Sequence, residues 1–139
     1  MDKKKSILFT AVLATLLVAV GAGMYLALKN PPLKPITVIS PAPNDSVSSP
    51  IAIEGTANSG WTVFEGVAGT ATLYDANGNQ LGQAQLKADT DWTKPPVHFT
   101  ASLAFSASST GSGHLEFLSD NPSGDPAKQQ TYSLPVSFP

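Results

Sequence analysis

From Ile36 to the C-terminus, hydrophobic and polar positions alternate with a period of two, the pattern of strands that bury one face. The clearest run is Val97 to Ala107. Val97, Phe99, Ala101, Leu103, Phe105 and Ala107 share one side, while His98, Thr100, Ser102 and Ser106 take the other. The last stretch repeats it, with Tyr132, Leu134, Val136 and Phe138 inward and Thr131, Ser133, Pro135 and Ser137 outward. Pro135 has no N–H for a ladder, which predicts an edge strand or a bulge there. Ile36 and Val38, Ile51 and Ile53, Ala71 and Leu73, and Leu115 and Phe117 predict shorter strands. Between Tyr74 and Leu81 the segment Asp75-Ala76-Asn77-Gly78-Asn79 holds an Asn-Gly pair, a strong hairpin signal. Seven or eight strands in roughly a hundred residues predict an all-β, immunoglobulin-like antiparallel β-sandwich over residues 36–139.

The N-terminal part reads differently. Ile7 to Leu28 carries no charge, and as a helix rising 1.5 Å per residue it would span about 33 Å, enough for a hydrocarbon core of about 30 Å. The competing reading is a cleavable signal peptide, with Lys3, Lys4 and Lys5 ahead and the small residues Gly21 and Ala22 near a plausible cleavage point. The apolar run is longer than a typical h-region and continues through Met24, Tyr25 and Leu26, so a retained transmembrane helix is expected. Three lysines precede it, so residues 1–6 are expected in the cytoplasm and the C-terminal domain outside the cell membrane, in a single-pass topology. Ala11, Thr15, Ala19, Gly23 and Ala27 recur every four residues, a ridge of small side chains that would allow a homo-oligomer through this helix. Residues 29–35, Lys-Asn-Pro-Pro-Leu-Lys-Pro, predict a polyproline II linker about 20 Å long.

Composition narrows the function. Cysteine is absent, so the domain stands on packing without disulfides. From Asn30 onward acidic residues outnumber lysines, and arginine is absent, which disfavours nucleic acid or an anionic lipid surface as a partner. Enzymatic constellations are missing. There is no G-x-S-x-G elbow, and His98 and His114 read as solvated residues on the polar sides of their strands. Asp89 and Asp91 form a carboxylate pair two apart on one expected strand face, with no partnering pocket visible from the sequence. Two histidines without cysteine make a zinc site a poor expectation. Asp75, Asn77 and Asn79 take the first positions of a calcium loop, but Gln80 and Leu86 stand where Gly and Glu are needed. No cofactor and no metal are therefore expected.

Several short motifs occur in a telling order: Ser40-Pro41, Asn44-Asp45-Ser46-Val47, Ser49-Pro50-Ile51, Gly55-Thr56-Ala57, Trp61-Thr62-Val63-Phe64-Glu65-Gly66, Asp75 with Gly78, Asp91-Trp92, Phe99, Phe105, and Asp120-Asn121-Pro122-Ser123-Gly124. Over Ile36 to Phe138 the chain resembles the immunoglobulin-like domain of bacterial spore-germination proteins. That resemblance implies an extracytoplasmic, non-enzymatic β-sandwich. Pro95-Pro96 before Val97-His98 departs from the less proline-rich approach expected at that strand. The expected role is a membrane-tethered binding module for an envelope protein or cell-wall polymer, the alternative being a structural subunit assembled through the edge around Thr131 to Phe138. Candidate binding residues are Trp61, Glu65, Trp92, Asp120, Asn121, Ser123 and Asp125. Of Trp61 and Phe64, at least one is expected in the core, its place in a sandwich being more often structural than ligand-facing. Asx-turns account for the acidic loop without an ion.

Overall fold

The computed structural model describes residues 33–106 and 110–139. The expected anchor Ile7–Leu28, the first part of the linker and Ala107 lie outside the described residues. Residues Lys34–Pro139 form one compact unit. Among the described residues seven strands run through it: β1 Ile36–Ser40, β2 Ile51–Ala57, β3 Val67–Asp75, β4 Gln80–Ala88, β5 Val97–Leu103, β6 Gly111–Leu118 and β7 Thr131–Phe138. Every strand pairing is antiparallel, in the order β1-β2-β5-β4-β3-β6-β7.

Two halves can be told apart in that order. β2 pairs with β5 along its whole length, from Ile51 opposite Leu103 to Ala57 opposite Val97. On the other side β3 lies between β4 and β6, and β6 pairs with β7. Only Lys87 opposite Thr100 and Ala88 opposite Phe99 join β4 to β5. At the far edges the gap is bridged by the chain after β1. Asn44 N–H donates to the Pro135 carbonyl at 2.7 Å, Val47 N–H to that of Ser137 at 2.9 Å, and Ser137 N–H to that of Asp45 at 2.9 Å. A short parallel bridge, Ser46 with Ser137, results. The structure is thus an antiparallel sheet nearly closed on itself.

The alternation explains the packing. Val97, Phe99 and Leu103 of β5, Ile51 and Ile53 of β2, Leu115 and Phe117 of β6, and Leu134, Val136 and Phe138 of β7 all enter one core. Each fully buried side chain of this size contributes roughly 1.5–3 kcal/mol. Pro135 is exposed in β7, the terminal strand of the order, as the missing N–H requires. The edge is not open along its length, however, because Asn44, Asp45 and Val47 hydrogen-bond it.

Two differences from the expected elements have local causes. β5 stops at Leu103, where its partner β2 begins at Ile51. Beyond that point Phe105 N–H donates to Ser49 Oγ at 2.9 Å rather than to a strand. β4 is announced only by the Asn-Gly turn before it. It buries Leu86 alone and leaves every other position exposed or half-buried, so its alternation is faint. Gly69 makes the bend at the start of β3 possible. Its φ is +111°, and the Leu118 carbonyl lies where a Cβ would stand.

Candidate functional site

Antiparallel order brings three loops to one end: 58–66 after β2, 89–96 after β4 and 119–130 after β6. The chain also enters there. Asn58 N–H donates to the Pro35 carbonyl and Asn58 Nδ2 to the Lys34 carbonyl, both at 2.7 Å.

Trp61 belongs to the core, in keeping with the expectation for one aromatic of its pair. It is 6% exposed, and its Nε1–H donates to the Ala68 carbonyl at 2.8 Å. Burying an indole requires such an acceptor. As a candidate binding residue it reaches open space with only a small part of its surface, at a groove between two loops. Phe64 is the exposed member, at 40%. Its N–H and carbonyl both bond Val67, at 3.0 and 2.9 Å. Glu65 and Gly66 make the turn between them, with φ of +49° and +80°, the sign pattern of a type I′ turn. Glu65 is thus exposed at a turn tip by backbone geometry.

Trp92 comes from the next loop and is 39% exposed. Its ring meets Phe64 edge to face, centroids 6.2 Å apart and planes at 68°. Asp91 shapes that loop: its Oδ1 accepts from Thr93 N–H at 3.0 Å and from Thr93 Oγ at 2.6 Å, and its Oδ2 lies 3.4 Å from Lys94 Nζ. The Thr93 hydroxyl and amide hold the Asp91 carboxyl below its ordinary value. Between the two loops runs an open groove of about 410 Å³, lined among others by Trp61, Val63, Trp92, Thr93, Pro95 and Val97. Pro95, the first of the two prolines that depart from the expected approach, thus helps wall the groove.

The third loop is attached by a residue that the sequence analysis did not single out. Gln130 Oε1 accepts from Thr62 N–H at 2.8 Å, and Gln130 Nε2 donates to the Gly60 carbonyl. Buried Ser119 ties the base of the loop, its Oγ accepting from Gln130 N–H at 3.1 Å. A pair of glutamines closing a polar loop carries no pattern that would have revealed this.

Within that loop the candidate residues bond one another. Asp120 Oδ1 accepts from Asn121 N–H at 3.0 Å, Asn121 Nδ2 donates to the Asp125 carbonyl at 2.9 Å, and Ser123 Oγ lies 2.7 Å from Asn121 Oδ1. Asp125 Oδ1 accepts from Ala127 N–H at 3.0 Å, capping a single 3-10 turn, Pro126–Lys128. This is the Asx-type punctuation expected from the sequence. The structure therefore brings Trp61 and Trp92 to one groove, places Glu65 on the adjoining turn, and leaves Asp120, Asn121, Ser123 and Asp125 outside its lining. Among the described residues no group of three or more His, Asp or Glu side chains is arranged to hold a metal ion.

The expected Asp89–Asp91 pair does not form. Both residues lie in the loop after β4, and Asp89 turns to His98 instead. His98 is not simply solvated: its side chain is 29% exposed, with Nδ1 2.6 Å from Asp89 Oδ1 and Nε2 2.9 Å from Glu54 Oε1. Glu54 first and Asp89 second, through these hydrogen bonds, raise the imidazole's pKa above its ordinary value. His114 stacks on Tyr74, opposite it across β6 and β3, with centroids 5.2 Å apart.

Compared with known proteins, residues 35–125 match the family described as the immunoglobulin-like domain of bacterial spore germination (Gmad2). No curated protein and no solved structure matches the chain.

Proposed function

The chain belongs to the family of immunoglobulin-like domains of bacterial spore germination, and from that membership we propose that it is a non-catalytic, membrane-tethered binding module outside the cell membrane. Its contact surface is the loop end, and its partner is an envelope protein or a cell-wall polymer. One observation carries this reading: Phe64 and Trp92, from two different loops, are both exposed and meet edge to face, and Trp92 lines a groove. Isolated exposed aromatics are ordinary, but two in mutual contact beside a concave surface are the arrangement that anchors binding sites. Loops on a closed β-scaffold supply such surfaces without altering the core.

Tethering is inferred from Ile7 to Leu28, which is apolar and long enough to span a bilayer. A proline-rich linker limits the stand-off to about 20 Å. The structural alternative, in which β7 recruits a partner strand, has less support because Asn44, Asp45 and Val47 already bond its edge at Pro135 and Ser137.

The test uses the full-length chain in membranes as bait for solubilised envelope proteins and, separately, purified wall polymer. Wild-type capture that falls at least about tenfold in Trp92→Ala and Phe64→Ala, with circular dichroism unchanged, supports the reading. Capture by both variants at wild-type strength overturns it.

A further inference from the structure

Between Glu54 on β2 and Asp89 at the root of the 89–96 loop, His98 has a carboxylate oxygen within hydrogen-bond distance of each ring nitrogen. A neutral imidazole has one N–H and therefore one bond to donate. Both contacts are bonds only in the imidazolium. We propose that His98 is a proton-dependent latch on the loop that presents Trp92, so that the aromatic site is held in place when His98 is charged and loosened when it is neutral. This rests on the loop end being the binding surface, but the latch itself is a property of the free protein.

The surroundings fit that role. β5 is held along β2, which makes His98 and Glu54 a fixed base. Asp89 is the first residue after β4, three positions before Trp92. The same junction is stitched by Asp89 N–H to the His98 carbonyl at 3.1 Å and by His98 N–H to Thr90 Oγ at 2.9 Å. His98 thus meets the loop through backbone and side chain together. The outer face carries one more charged group nearby, Lys87 on β4, which pairs with Thr100 as Glu54 does from the other side. β1 presents Thr37 and Ser40 along β2 and adds no charge. Asp91 is engaged with Thr93 and Lys94. The groups facing the imidazole are therefore two carboxylates.

Losing the proton does two things. One of the two short contacts becomes a lone pair facing a carboxylate, and that carboxylate must withdraw. The contact that survives keeps its charged acceptor but is no longer an ion pair, so the attraction between opposite charges is lost. Either way Asp89 is held less tightly, and the loop gains freedom.

The experiment needs no partner. The full-length chain in nanodiscs is titrated from about pH 5 to pH 9, with the His98 ring followed by NMR and Trp92 accessibility by acrylamide quenching. Trp92→Phe isolates the buried Trp61 as a baseline, and His98→Gln assigns the His98 resonance against His114. The latch predicts a His98 midpoint above its ordinary value of about 6.5 and a rise in Trp92 quenching with that same midpoint. Asp89→Asn should lower the midpoint and abolish the step. A His98 midpoint at or below the ordinary value, or quenching that stays flat while His98 titrates, overturns the latch. Since the readout is taken without ligand, such a failure leaves the binding reading intact, and loss of the binding reading leaves this titration unchanged.

Discussion

Phe64 and Trp92 lie 28 positions apart in sequence, yet their rings meet edge to face with centroids 6.2 Å apart. Edge-to-face pairs contribute about 0.5–1.5 kcal/mol beyond their buried area. A double-mutant cycle of Phe64→Ala and Trp92→Ala, read by chemical unfolding, should return a coupling in that range. Each single change should cost about 1 kcal/mol or less of stability, since both rings are partly in water.

Trp61 should behave in the opposite way. Trp61→Ala removes a buried indole and should cost about 3–5 kcal/mol, while Trp61→Phe leaves the Ala68 carbonyl without its donor and should cost about 1–3 kcal/mol. Urea midpoints of the two variants check this. A neutral Trp61→Ala would remove the indole from the core.

Gln130 bonds Thr62 and Gly60 through one side chain and so joins two loops. Gln130→Ala should increase hydrogen exchange at Thr62 and across the 119–130 loop, with a stability loss of about 1–3 kcal/mol for the groups left unpaired. Unchanged exchange at Thr62 would show that the clamp is not made in solution.

Stability should respond to pH in two windows. The Asp75 carboxyl is held below its ordinary 3.8, first by the Asn79 side chain and amide and then by the Asn77 and Gly78 amides. A depressed carboxyl contributes stability above its unfolded value and loses it as pH falls through the folded one. Asp75→Asn should therefore flatten the acid limb of the unfolding curve below about pH 4. The raised pKa of His98 works in reverse: its contribution is complete below about 6.5 and is lost as pH rises through the folded value. His98→Gln should remove that neutral-range slope, measured by thermal unfolding across pH.

Gly69→Ala should destabilise by about 1–3 kcal/mol from backbone strain, because φ is +111° and the new Cβ would strike the Leu118 carbonyl. Gly78→Ala meets open space at a φ of +81° and bears only the conformational cost. The difference between the two unfolding midpoints isolates the contact with Leu118.

Much of the scaffold is readable locally. Alternation along β2, β5, β6 and β7 marks the buried faces because strand side chains point to opposite sides in turn, a property of the backbone and not of the neighbours. Asn77-Gly78 marks the hairpin because the turn needs a positive φ, which Gly78 takes at +81°. The order of short motifs from Ser40-Pro41 to Gly124 carries the family membership that the match over 35–125 establishes. In the Asp120 to Asp125 loop, the Asx punctuation legible in the sequence is what the hydrogen bonds show.

The site depends on distances that no local pattern encodes. Trp61 and Phe64 look alike on the chain. The acceptor carbonyl of Ala68 takes one inward, while the turn at Glu65-Gly66 leaves the other out. Trp92 becomes Phe64's partner, Gln130 ties two loops, and His98 gains Glu54 and Asp89, only because the strands are ordered as they are. By itself the sequence determined which faces of the strands are buried, where the chain turns and which family it belongs to. Tertiary structure alone decided which exposed side chains meet, because contacts across a sheet and between loops are set by strand order and register, and these emerge only when the whole core packs.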